Sequence, residues 1–106
     1  MNPLELLTGT SSILSDRVRL AIMATLAAAT EPVDFKTLLE SLQLTKGNLA
    51  SHIRKLEDGG LITVKKAFVD RKPRTTYACT ELGYQEVRTY LEKVEALLRG
   101  VSGSDS

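Results

Sequence analysis

The 106-residue chain predicts a mainly α fold carrying one small β-hairpin, in the order helix, helix, helix, hairpin, helix. Three observations carry that expectation. Apolar residues recur at helical spacing in successive segments, each preceded by a residue able to cap a helix. The pair Gly59-Gly60 ends the third of these segments and opens a stretch rich in β-branched residues. Within that stretch, the basic run Asp70-Arg71-Lys72-Pro73-Arg74 reads as a turn between two strands.

The elements follow in order. Residues 1–12 are weakly patterned; Pro3 can open a short helix through Leu7, with Gly9 as its end. Ser15 or Asp16 caps the next helix, in which Leu14, Val18, Ile22 and Leu26 recur on one face with help from Ala21 and Ala24. That helix should stop near Thr30, before Glu31-Pro32. Asp34 caps a second helix with Phe35, Leu38, Leu39 and Leu42 as its apolar face. After the short link Gln43-Leu44-Thr45, Thr45 caps a third helix whose stripe is Leu49, Ile53 and Leu56. Leu61 to Val64 begin a strand that continues toward Val69, and Thr75 to Cys79 form the returning strand. Thr80 caps the last, long helix, with Glu81 in its first turn, where the helix dipole favours an anion. The Gly/Ser-rich end from Gly100 should fray, with residues 102–106 a flexible tail.

Length and composition confine the function. A chain this short builds one core. With 42% hydrophobic and 25% charged residues it is of ordinary globular make-up. The lone Cys79 cannot form an intrachain disulfide, and no apolar run approaches bilayer length, so a reducing, cytoplasmic setting is expected. One His, one Cys and scattered carboxylates supply no catalytic triad, metal set or phosphate loop, so the expectation is no enzyme, no metal and no cofactor. The net charge of +1 hides an asymmetry. Residues 46–76 hold eight bases (Lys46, Arg54, Lys55, Lys65, Lys66, Arg71, Lys72, Arg74) against three acids (Glu57, Asp58, Asp70). That segment stands at +5 and the remainder at −4, the footprint of a polyanion-binding face on an acidic body, although a solvated charged surface gives the same count.

The second and third helices share a link short enough for a helix-turn-helix. Because the stripe of the third helix is narrow, its opposite arc must face outward. At 100° per residue that arc carries Gly47, Asn48, Ser51, Arg54 and Lys55, which include side-chain types that read base edges and phosphates. Gly47 keeps the helix start slim. Lys46 lies on one flank, placed for a phosphate. His52 lies on the other, where it either tethers the helix or touches DNA. Arg71, Lys72 and Arg74 make the hairpin tip basic, suited to the backbone or the minor groove; the same charges also protect a hairpin edge from aggregation.

The run Thr45-Lys46-Gly47-Asn48-Leu49-Ala50-Ser51-His52-Ile53-Arg54-Lys55-Leu56-Glu57-Asp58-Gly59-Gly60-Leu61-Ile62 resembles the recognition helix of short bacterial and archaeal winged-helix regulators related to the MarR-like and ArsR-like repressors. The resemblance continues through Lys66, Phe68, residues 71–75 and Thr80-Glu81-Leu82-Gly83, covering roughly residues 16–98. It implies a winged helix-turn-helix, duplex DNA as the ligand and a homodimeric transcriptional regulator, most simply a repressor. Helix 45–58 would enter the major groove, with a wing over residues 69–75. Cys79 departs from the aliphatic residue usual at its position, which predicts a buried, inert thiol. The Cys-rich helix of metal-sensing relatives has no counterpart here.

In the last helix Tyr84, Leu91 and Leu98 recur every seven residues, as do Val87, Val94 and Val101 offset by three, with Tyr90 and Leu97 widening the stripe. That heptad is expected to form a dimer seam through Tyr84, Val87, Leu91, Val94 and Leu98, shared with residues 1–12; packing on the first helix is the simpler alternative. The chain thus divides into the segment 1–12, a DNA-binding core 13–83, a dimerisation helix 84–101 and a tail. The competing function is a winged-helix module that binds protein and not DNA. The sequence assigns no effector, operator or target gene.

Overall fold

The computed structural model describes Leu14 and residues 16–103. The expected N-terminal helix in residues 1–12, and its share in a seam, lie outside this range. Helix α1 spans Arg17–Ala28, capped by Asp16, whose carboxylate accepts the N–H groups of Val18 and Arg19. Its last residue, Ala28, lies two before Thr30, and the extended Ala29 ends it. Strand β1 (Val33–Asp34) leads into α2 (Phe35–Leu42), where Asp34 caps by accepting from Thr37 N. Gln43 turns the chain with φ of 54°, Thr45 accepts from Asn48 N, and α3 runs Lys46–Asp58. Strands β2 (Ile62–Val69) and β3 (Lys72–Cys79) precede α4 (Glu81–Gly103).

Two features differ from the sequence expectation. The sheet has three strands in the order β1-β3-β2, because Val33 and Asp34 pair with Tyr77 and Thr76 on the free edge of β3. The hairpin turn is also shorter than expected. Asp70 and Arg71, at φ of 53° and 66°, make a two-residue turn, and Lys72, Pro73 and Arg74 belong to the strand. Paired left-handed residues give the turn a twist that matches the flanking strands. Pro73 is tolerated because β1 reaches only Thr76 and Tyr77, leaving β2 as the sole neighbour of β3 at Pro73.

One core holds these elements together. Leu14, Ile22, Met23 and Leu26 meet Leu38 of α2 and the Leu49, Ile53, Leu56 stripe of α3, closed by Leu61, Ile62, Tyr77 and Val87. The Tyr77 ring packs tilted against Phe35, with centroids 6.4 Å apart. Burial and the Glu57 carboxylate push its phenol upward in pKa. No polar or charged side chain is buried among the described residues. The core continues into α4 as far as Val87 and Tyr90, so the expected division at residue 83 falls inside an unbroken helix. That helix persists to Gly103, past residue 102 where a tail was expected to begin.

The junction between α3 and β2 sets the geometry of the rest. Gly60, at φ of 74°, lets its N–H reach Glu57 O (2.9 Å) while Leu61 N reaches Leu56 O (3.0 Å). These are the two closing bonds of a Schellman turn. Leu61 O then accepts from Thr80 N at 3.0 Å, and the Thr80 hydroxyl donates to Gly60 O and accepts from Gly83 N. Gly83 lies so close that a Cβ there would collide with the Leu61 carbonyl and crowd Met23. Gly83→Ala should therefore destabilise the protein by about 1–3 kcal/mol in a denaturant titration, despite alanine's higher helix propensity. Gly100→Ala, with open space around it, should be neutral or slightly stabilising. Equal stability of the two variants would contradict the close packing.

Candidate nucleic-acid interface

The α3 stripe fixes which residues face outward. With Leu49, Ile53 and Leu56 buried, Lys46, Gly47, Asn48, Ser51, Arg54 and Lys55 are all exposed. The five residues that the helical projection turns outward are thus all in solvent, as is Lys46 on their flank. No atom lies within 4 Å of a Cβ built at Gly47, so the start of the helix is open as well as slim. The N-terminal N–H groups of α3 point along the same end, with one of them, Asn48 N, taken by Thr45 Oγ1 at 3.2 Å.

His52 is half-buried, and its Nδ1 lies 3.2 Å from Arg19 Nη1. A guanidinium only donates, so in this contact Nδ1 is the acceptor. Arg19 also lies 4.0 Å from Asp16, the α1 cap. The backbone N–H of Arg19, first among several contributions, holds the Asp16 carboxyl below the usual aspartate range. His52 is thereby tethered to the start of α1, the first of the two readings open to the sequence.

The ribbon divides its basic residues between two faces. Side chains alternate along each strand, so Lys66 shares the face of Ile62 and Val64, with Thr75 and Tyr77 opposite. On this face Lys66 and Thr75 line a groove together with Ala50 and Arg54 of α3. Lys65 and Arg74 line a different hollow, with Glu31 and Pro32. Arg74 Nη2 lies 3.5 Å from Asp34 Oδ2, an ion pair between the ribbon and the α2 cap. Hydrogen bonds from Thr37, and behind them the Arg74 charge, hold the Asp34 carboxyl low. Arg71, in the turn, and Lys72, beside it, are exposed. The structure therefore gathers Arg71 and Lys72 at the tip and gives Arg74 a partner within the chain.

Sequence reasoning missed Phe68, which is 78% exposed near the tip. It alternates onto the same face as Ile62 and Val64, but the ribbon outruns the core before reaching it.

The long helix splits its heptad. Val87 is 5% exposed and belongs to the core, whereas Tyr84, Leu91 and Leu98 are 47%, 55% and 61% exposed, with Val94 half-buried. Tyr84 also borders a hollow lined by Glu31, Cys79 and Glu81. Cys79 is half-buried; its Sγ–H donates to Thr80 O at 3.3 Å, and desolvation pushes the thiol upward in pKa, which disfavours the reactive thiolate. Among the described residues no helix is long and apolar enough to cross a membrane.

The comparisons agree with this architecture. A transcriptional regulator homologue from Pyrococcus horikoshii OT3 superposes with a TM-score of 0.82 at 38% identity, over 95% of this chain and 98% of its own. An uncharacterised protein of Methanocaldococcus jannaschii is 32% identical over 89 residues, which are 84% of this chain and 96% of its own length. MepR of S. aureus, solved as a complex with DNA, shares the fold at a TM-score of 0.72 and 16% identity, over 88% of this chain and 78% of its own. Residues 18–98 match the family described as winged helix DNA-binding domain. The chain is a member of that winged helix DNA-binding domain family.

Proposed function

We propose that the protein is a cytoplasmic homodimer that binds specific sequences of duplex DNA and regulates transcription, acting as a repressor by occupying its site. The observation that carries this reading is the continuity between α3 and the ribbon. Arg54 of the exposed α3 arc and Lys66 of β2 line one groove, and Arg71 and Lys72 extend positive charge to the ribbon tip. In this reading Asn48, Ser51 and Lys55 meet base edges in the major groove, while Lys46 and the open backbone at Gly47 approach phosphate. The tip residues follow the backbone into the adjacent minor groove. Arg74, paired with Asp34, steadies the ribbon instead of adding a contact. The capture of DNA by MepR, a protein of the same fold, supports the choice of ligand.

The dimer reading rests on α4. At 23 residues it is about 35 Å long, and its contribution to the core ends near Tyr90. Beyond that point Leu91 and Leu98 leave an apolar stripe in water, continuous with Tyr84. A second copy of α4 covers such a stripe by symmetric pairing, with Val94 at its margin.

Binding should weaken steeply with salt, with log K falling against log salt by about 0.9 per phosphate neutralised. Arg71→Ala with Lys72→Ala should lower affinity for specific and random duplexes alike and flatten that slope; fluorescence anisotropy across a salt series measures both. An unaltered slope and affinity would remove the ribbon from the interface, and no binding to any duplex would favour a module that binds protein. Leu91→Glu with Leu98→Glu should give a folded monomer with poor DNA affinity, since four carboxylates would face one another across the seam. Sedimentation velocity reads this out, and an intact dimer would place the seam elsewhere.

A further inference from the structure

Phe68 is the most exposed large apolar side chain among the described residues. Its register explains how it comes to be there. Ile62, Val64, Lys66 and Phe68 share one face of β2, and Cys79, Tyr77, Thr75 and Pro73 stand opposite them on β3. At the base of the ribbon this face is core, with Ile62 and Tyr77 buried. In the middle, Lys66 and Thr75 border Ala50 and Arg54 of α3. At the tip the pair Phe68 and Pro73 goes one step further out and leaves its apolar surface in water. The same face is therefore core, then α3 groove, then an uncovered apolar tip.

That tip is framed by charge. Lys66 lies two residues before Phe68 on the same face and Arg71 follows in the turn, while Lys72, paired with Val69, starts the opposite face of the ribbon; all three are exposed. An apolar pair bordered by cations fits a surface on which anions alternate with apolar edges. The minor groove of B-form DNA is such a surface, for its walls are the C–H faces of deoxyribose and its rims are phosphates. We propose that Phe68 and Pro73 pack against a deoxyribose wall of the minor groove while Arg71 and Lys72 hold the flanking phosphates, an inference that rests on the DNA-binding reading above. Neither side chain carries a hydrogen-bonding group, so the contact contributes by removing apolar area from water. It is insensitive to salt, unlike the contacts of its basic neighbours. It also selects for sugar. An A-form RNA duplex offers a wide, shallow minor groove lined with 2′-hydroxyls, which removes both the wall and its apolar character.

The experiment uses the full chain and its Phe68→Ala and Phe68→Leu variants, with fluorescence anisotropy on a random-sequence DNA duplex and the matching RNA duplex over a salt series. Phe68→Ala should weaken DNA binding by about ten-fold (about 1.4 kcal/mol). The slope of log K on log salt should stay as in the parent, Phe68→Leu should recover most of the loss, and RNA affinity should not move. The melting temperature should also hold, because the ring is exposed. Parental DNA affinity in Phe68→Ala would overturn the inference and leave the DNA-binding reading standing. A loss accompanied by a flatter salt slope would also overturn it, since the effect would then pass through the cations. Dissociation of the dimer in Phe68→Ala, read by sedimentation, would assign the ring to a contact between copies and overturn it. Absence of salt-dependent DNA binding by the parent would defeat both readings together.

Discussion

The close approach of α4 to the backbone at Leu61 governs how the other elements are placed. The Schellman turn at Gly59-Gly60 delivers Leu61 directly from the end of α3. The Leu61 carbonyl is then held by Thr80 N beneath Gly83, where no side chain fits. The end of α3, the base of the ribbon and the start of α4 therefore meet at one point and share hydrogen bonds. Movement of any one of them would break bonds made by the other two. This junction fixes the angle between the exposed α3 arc and the ribbon, and so determines which basic residues can meet one ligand.

A second set of contacts fixes α3 from its other side. The half-buried His52 accepts from Arg19, which is held near Asp16 at the start of α1. Asp34 performs two tasks at once, capping α2 and pairing with Arg74 of the ribbon. The ion pair is surface-exposed and contributes little to stability by itself. Its effect is to orient, since it joins the first helix of the helix-turn-helix to the wing. Asp34 is itself a cap, and Arg19 is held by one, so in both cases local capping and tertiary placement are linked through one side chain.

Much of this was legible in the sequence because the determinants are local. Asp34, Thr45 and Thr80 cap as their residue types and positions require, and the spacing of Leu49, Ile53 and Leu56 alone decides which side of α3 is outward. What was not legible depends on partners distant in the chain. A two-residue strand such as β1 has no periodicity to detect, and it exists because β3 offers an edge. Arg71 in a left-handed turn is unusual for its residue type, so the turn was placed too broadly. The Arg74 partner lies forty positions away. Val87 and Leu91 read alike in a heptad, and only the depth of the core separates one that is buried from one that is not. Phe68 is the same problem on a strand: alternation gives its face, but not how far along the ribbon the core extends.

In the proposed function the junction presents α3 to the major groove as the element that reads sequence. A binding selection from a random duplex library tests it most directly, run on the parent and on Asn48→Ala and Ser51→Ala. Neither substitution touches the buried stripe, so both variants should fold. Each good bidentate contact discriminates between bases by about 1–3 kcal/mol. The parental motif should be two-fold symmetric, with half-sites about one helical turn apart (~34–36 Å) or a multiple of it. In each variant, preference should relax at particular positions of that motif while the rest is kept. A parental motif without two-fold symmetry, or variants that select the parental motif unaltered, would contradict it.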